Sequence, residues 1–250
     1  MTQEQLKSKT ALITGGASGI GAAIAKLFVQ QGAAVAILDV NGEQAEATAA
    51  SLSADGRAIA VAADVTDADS MKSAIDEAAE RLGGLDIVVS AAGILDETPL
   101  AQMSVETFER TIDIDLKGVF LTARFALPHL QHRGGGRIIN ISSQLGIKGG
   151  TGLSHYVAAK AGVIGMSKAM ALELAPENIL VNTIAPGPIH TPLVDGLSDE
   201  WKSAKQAELP IGRFGTPEEV APTALLLASS PGGDLYTGQT LGPNSGDVMP

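Results

Sequence analysis

The chain has 250 residues, 45% of them apolar and only 3% aromatic, a composition that suits one α/β domain, residues 1–250, with a sizeable core. A net charge of −11 argues against a general binder of nucleic acid or anionic membrane, and the absence of cysteine removes disulfides and thiolate metal sites. The opening MTQEQLKSKT lacks the apolar core of a signal peptide, and no stretch reaches the run of about 18 apolar residues that marks a membrane span, so a cytoplasmic protein without a metal is expected.

Taken in order, Thr10 to Thr14 reads as a short apolar strand, and Gly15 to Gly21 (GGASGIG) as a glycine-rich turn. Ala22 to Gln31 reads as a helix stopped by Gly32, and Ala34 to Leu38 as a second strand ending at Asp39. In such a unit the glycines let backbone approach a pyrophosphate, and the helix N-terminus offers free N–H groups and partial positive charge. Gly15, Ser18, Gly19, Ile20 and Gly21 are therefore candidate cofactor contacts. Asp39 stands 18 residues past Gly21, where a carboxylate can accept hydrogen bonds from ribose hydroxyls. The spacing is G-x-x-x-G-x-G rather than G-x-G-x-x-G.

The alternation continues. Helices are expected over Asn41 to Leu52 and Asp69 to Leu82, the second stopped by Gly83-Gly84. Strands are expected over Arg57 to Ala63, followed by Asp64-Val65, and over Leu85 to Val89, followed by Ser90-Ala91-Ala92-Gly93. Val105 to Leu130 reads as one long helix or a pair meeting near Gly118. A fifth strand, Arg137 to Ile141, ends in Ser142-Ser143, and a helix runs from Tyr156 to Ala175. Ile179 to Ile184 is the sixth strand, followed by Ala185-Pro186-Gly187-Pro188. Thr216 caps a helix with Pro217 at its first position, running through Ala228, and Gln239 to Leu241 is a short last strand. Residues 189–214 break the rhythm, as a substrate lid does. Strand–helix alternation throughout means a doubly wound parallel sheet of the Rossmann type, and ligands in such sheets bind beyond the carboxyl ends of the strands.

Tyr156 and Lys160 are four apart on a helix and project side by side. A fixed ammonium favours the phenolate, so this pair is expected to act as an acid or base near neutral pH, and a serine hydroxyl at the preceding strand end is placed to orient a carbonyl or alcohol oxygen. The spacing alone arises by chance on many helices, and its weight comes from the rest of the chain.

In combination, Thr14-Gly15-x-x-x-Gly19-Ile20-Gly21, Asp64-Val65, Ala92-Gly93, Ser143, Tyr156-x-x-x-Lys160 and Pro186-Gly187 resemble the short-chain dehydrogenase/reductase family over roughly residues 7–246. The resemblance implies about seven strands and hydride transfer between a nicotinamide cofactor and an alcohol or ketone. It implies Tyr156 as acid/base, Lys160 as the group that lowers its pKa and holds the nicotinamide ribose, and Ser143 as the orienting hydroxyl. Pro186, Gly187, Ile189 and Thr191 are then expected around the carboxamide. Two positions depart from the pattern. Ser90-Ala91-Ala92-Gly93 stands where the family has Asn-Asn-Ala-Gly, and Asp115 stands at its fourth catalytic residue, an Asn. A water between Asp115 and Lys160 is expected there in preference to a direct pair.

Asp39, with Ala17, Ser18, Val40 and Asn41 around it and no basic residue, favours NAD(H) over NADP(H). Leu95, Gln144, Ile147, Leu153, Pro188 and the lid around Leu193 to Trp201 suggest an apolar pocket for a small secondary alcohol or ketone. The general resemblance is to the 3-oxoacyl carrier-protein reductase branch, whose preference for NADPH and basic carrier-docking face fit this acidic chain poorly. A non-catalytic dinucleotide sensor is the alternative from another class. Family resemblance implies a homotetramer, to which the tail from Leu241 to Pro250 is placed to contribute.

Overall fold

The computed structural model describes residues 4–52, 57–195 and 199–249, with backbone alone at 193, 195, 199 and 201. Seven parallel strands form one sheet in the order β3-β2-β1-β4-β5-β6-β7. They are β1 Thr10–Thr14, β2 Ala34–Asp39, β3 Ala58–Ala62, β4 Ile87–Ser90, β5 Gly136–Ile141, β6 Ile179–Ile184 and β7 Thr240–Leu241. Strand order reverses between β1 and β4, where Thr14 lies beside Ser90, and a crevice opens beyond their carboxyl ends.

The short apolar runs become strands because both faces are covered. Side chains alternate along a strand, so Ala11, Ile13, Val35, Ile37, Val89 and Ile139 enter one core while Leu12, Ala36, Leu38, Val88 and Ile138 enter the other. The first core is closed by α1 (Gly19–Gln30), α2 (Gly42–Leu52) and, at the far end of the chain, α10 (Pro217–Ala228), and holds fully buried Phe28. The second is closed by α3 (Ala68–Leu82), α5 (Gly118–His132) and α7 (Ser154–Leu174).

The expected punctuation is present. Gly83 takes φ 76° at the end of α3, a left-handed conformation that suits glycine. At the start of α10 the Glu219 carboxylate accepts from the Thr216 N–H at 3.0 Å, with Pro217 in the first turn. Other boundaries differ. α1 begins at Gly19, three residues before expected, because a Cβ on Gly21 would stand 2.2 Å from the Gly15 carbonyl oxygen and its absence lets the first turn close directly on the glycine loop. α7 begins at Ser154 and includes His155.

The long helix is α4 (Val105–Ile112) and α5 joined without a break by a π-helical turn, Asp113–Lys117. The joint falls at Gly118 as expected, but the extra residue in that turn is not visible in hydrophobic periodicity. It coincides with Asp115, which is wholly buried. A four-residue helix α6 (Leu145–Lys148) follows the fifth strand, and the interruption after the sixth holds α8 (Pro192–Asp195) and α9 (Asp199–Glu208). Part of the expected lid, residues 196–198, lies outside the described residues.

Candidate active site

A cavity of about 970 Å³ opens at the carboxyl ends of the strands. Its walls bring together Gly15, Ser18, Gly19, Ile20, Gly21, Asp39, Asp64, Val65, Ala92 and Gly93 from the first half of the chain. From residues beyond these come Asp115, Ser143, Gln144, Leu153, Tyr156, Lys160, Pro186, Gly187, Pro188, Ile189 and Thr191, with Leu95 between the two groups. Ser90 is not on the wall. It is the last residue of β4, 1% exposed, and its hydroxyl lies buried without a hydrogen-bond partner. Ile147 is half exposed and outside the cavity.

At one end of the cavity the glycine turn packs against the loop after β4. A Cβ on Gly15, which has φ +63°, would come within 2.6 Å of the Ala92 backbone. This close approach of backbone to backbone leaves room only for glycine at 15. The first turn of α1 carries no acidic residue, so its free N–H groups and partial positive charge face the cavity uncompensated. Asp39 closes this end, its carboxylate accepting from the Ala17 N–H at 3.2 Å and the Asn41 N–H at 3.1 Å. Asp64 is held in turn by the Thr66 N–H and hydroxyl at 2.9 and 2.8 Å, and those bonds lower its pKa. The glycine cradle and the bare helix N-terminus offer donors and the Asp39 carboxylate an acceptor, a combination that fits the pyrophosphate and ribose of a dinucleotide.

At the other end stand Ser143, Tyr156 and Lys160, all buried. The Lys160 ammonium lies 5.6 Å from the Tyr156 ring centroid and donates to the Ile141 carbonyl at 3.3 Å. The Ser143 hydroxyl accepts from the Leu145 N–H at 3.1 Å, which leaves its own hydrogen to donate. Asp115 meets Lys160 directly, Oδ2 to Nζ at 3.1 Å, while its Oδ1 accepts from the Ile94 N–H at 2.8 Å. The expected water between them is thus replaced by an ion pair. Gly93 permits it, since a Cβ there would crowd Asp115 Oδ2 at 3.1 Å and Lys160 Nζ at 3.3 Å.

The electrostatics correct a second expectation. Burial holds the Tyr156 phenol above its ordinary pKa. Lys160 and a hydrogen bond from Ser143 oppose this, and the Asp115 carboxylate adds to it. Burial also works against the Lys160 charge, but Asp115 and the phenol outweigh it and raise the lysine's pKa.

Several residues around the site carry no sequence signal strong enough to single them out. His155, wholly buried beside Tyr156, bonds Asp96 at 2.7 Å and so fixes the loop that carries Leu95. Its position next to the tyrosine is the signal that was available. Glu97, Glu106, Glu109 and Asp113 make the rim acidic, against Arg110. Gln144 and Lys205 of α9 line the pocket, and Asp247 of the tail bonds both, so the tail folds back on its own chain.

The family described as "Enoyl-(Acyl carrier protein) reductase" matches residues 15–246. The chain is 39% identical to a 3-oxoacyl-[acyl-carrier-protein] reductase FabG of Thermotoga maritima, over 98% of this chain and 100% of that protein. It is 44% identical to a cis-4-hydroxycyclohexanecarboxylate dehydrogenase of Sinomonas cyclohexanicum, over 90% and 91%. Among solved structures, a short-chain type dehydrogenase/reductase from Mycobacterium marinum superposes with a TM-score of 0.94 at 36% identity, covering 99% of this chain and 98% of that one.

Proposed function

The chain belongs to the short-chain dehydrogenase/reductase family, and on that premise we propose that it is an NAD(H)-dependent oxidoreductase interconverting a small, largely apolar secondary alcohol and its ketone. The observation that carries this reading is that one cavity has Asp39 and the α1 N-terminus at one end and Ser143, Tyr156 and Lys160 at the other.

Glycine turn, α1 N-terminus, Asp39 and Asp64 would hold the dinucleotide, with Pro186, Gly187, Ile189 and Thr191 around its nicotinamide. When bound, the nicotinamide supplies or accepts the hydride at the substrate carbon. The chain's own residues manage the oxygen. Ser143 donates a hydrogen bond to it, and Tyr156 gives it a proton in ketone reduction or takes one in alcohol oxidation. Lys160 supplies a fixed positive charge. Burial holds the phenol above its ordinary pKa, which favours the protonated form that gives its proton in ketone reduction.

Asp39, hydrogen-bonded to the glycine turn with no ion-pair partner among the described residues, favours a free ribose diol over a 2′-phosphate. The similarity to a cis-4-hydroxycyclohexanecarboxylate dehydrogenase supports a secondary alcohol on a ring. A second reading, reduction of a 3-oxoacyl thioester, is favoured by the names of other relatives. The acidic rim formed by Glu97, Glu106, Glu109 and Asp113 opposes an acidic carrier. The proposal includes a cytoplasmic homotetramer. Exposed Val105, Phe108 and Phe120 on α4 and α5 support burial against a second copy, and light scattering on the purified protein checks the tetramer.

The test is a panel of secondary alcohols, cyclic ketones and a 3-oxoacyl thioester, each with both nicotinamide cofactors. Turnover of alcohols or ketones with NAD(H) ahead of NADP(H) is expected. A thioester preference, or an NADP(H) advantage, overturns the corresponding half of the proposal. Cofactor binding without turnover points to the sensor.

A further inference from the structure

Asp247 follows the last strand of the sheet, yet its carboxylate gathers donors from two other segments. The Gln144 side-chain amide donates to Oδ2. Lys148 Nζ stands 2.7 Å from Oδ1 and Lys205 Nζ 2.8 Å from Oδ2. The Asp247 side chain is 6% exposed and that of Lys205 12%, so both are largely removed from water. Lys205 also pairs with Glu208 at 2.9 Å, but that carboxylate is 63% exposed and lies on the same helix, so it ties α9 to nothing else.

The tail that carries Asp247 is itself knit to the site. The Gly187 N–H donates to the Pro243 carbonyl at 3.1 Å, and the Ile211 N–H to the Ser245 carbonyl at 3.2 Å. Asn244 Nδ2 donates to the Val248 carbonyl at 2.8 Å. A Cβ on Gly246 would come 2.9 Å from Pro210, so the tail lies flat against the end of the interruption.

The connected pieces are functional ones. Gln144 directly follows Ser143 and lines the cavity, as does Lys205. We propose that Asp247 is a positioning residue that latches helix α9 to the loop carrying Ser143 and Gln144, so that the substrate cavity is closed by a carboxylate from the tail. Gln144 is oriented by the same contact: with its amide nitrogen on the carboxylate, its oxygen is turned the other way. Hydrogen bonding and opposite charge hold the Asp247 pKa down and the Lys205 pKa up, against burial that opposes both, so the latch stays ionised across the neutral range. The latch serves the oxidoreductase reading by excluding water from the reacting groups, but its test needs no turnover.

Amide hydrogen exchange, followed by mass spectrometry on the full chain at neutral pH, reads the latch as protection over residues 199–208. Asp247→Asn and Lys205→Met should each speed exchange there by about tenfold or more, the loss of a charged hydrogen bond. The double variant should exceed the larger single effect by little, because both remove one interaction. Lys205→Arg, which keeps the charge, should retain wild-type protection. Strands β1 and β5 should exchange as in wild type throughout. Unchanged exchange over 199–208 in the single variants, or effects that simply add, overturns the proposal. If Asp247→Asn fails to fold, Lys205→Met against Lys205→Arg decides alone. Failure of the oxidoreductase reading would appear separately, as absent turnover with the exchange result intact.

Discussion

A carboxylate 3.1 Å from buried Lys160 acts on the charge of the whole candidate cluster. Asp115 raises the pKa of both Lys160 and Tyr156. Alcohol oxidation requires the phenolate, so its rate should rise with pH through the phenol's pKa. Asp115→Asn removes one of the causes that raise that pKa, and the half-maximal pH should move down, with activity retained because the amide oxygen can still accept from the Ile94 N–H. A pH–rate profile of the two proteins is the measurement, and movement toward higher pH would contradict the electrostatics. Tyr156→Phe removes the proposed proton carrier and leaves Asp39 and the glycine turn untouched. Turnover should fall by at least about 10²–10⁴-fold, the usual worth of general acid/base catalysis, while dinucleotide affinity measured by calorimetry stays within a few-fold. The convergence of Ser143, Tyr156 and Lys160 on one cavity was legible because a strand end and a four-residue helical spacing place them on the same side of the sheet. The direct contact of Asp115 with Lys160 was not, because it depends on where a π turn places one side chain, and that lies below the resolution of a hydrophobic pattern.

Elements transmit these placements through close backbone contacts. Helix α6 lies on α7 where Lys160 leaves it: a Cβ on Gly146 would stand 2.8 Å from both the Ala161 nitrogen and the Lys160 carbonyl carbon. Backbone cannot rotate away as a side chain can, so Gly146→Ala must push the two helices apart. A cost of about 1–3 kcal/mol is expected, typical of overpacking, read as a lowered Tm with reduced turnover. A wild-type Tm would show that the crossing is loose. The strands and their flanking helices were legible from apolar runs and glycine stops, since burial on both faces demands such runs. The helices α8 and α9 were not. Their residues show no periodic apolar face, and within the interruption Val194, Leu209 and Phe214 form a small cluster of their own, apart from the two main cores.

Across the whole molecule, the residues proposed to set coenzyme choice and those proposed to manage the reacting oxygen divide along the chain. Glycine turn, Asp39, Asp64 and Ala92 come from β1 to β4 and their loops, while Ser143, Tyr156, Lys160 and the lid come from β5 onward. Strands β1 to β4 pair among themselves, as do β5 to β7. Among the described strands the β4–β5 pairing, Ile87 to Ser90 against Arg137 to Asn140, alone joins the two halves of the sheet. This seam was readable in outline from the order of motifs, but the strand order that makes it a single pairing was not. On the proposed reading, Asp39 and the acid/base groups are carried by separate halves of the sheet. A chimaera that takes its first half, through the loop after β4, from an NADP(H)-preferring relative should change coenzyme while keeping the substrate ranking of this chain, as steady-state assays of the parent and the hybrid would reveal. Recombination at that one seam lets descendants of such a protein redraft the redox currency they draw on without relearning what they oxidise or reduce.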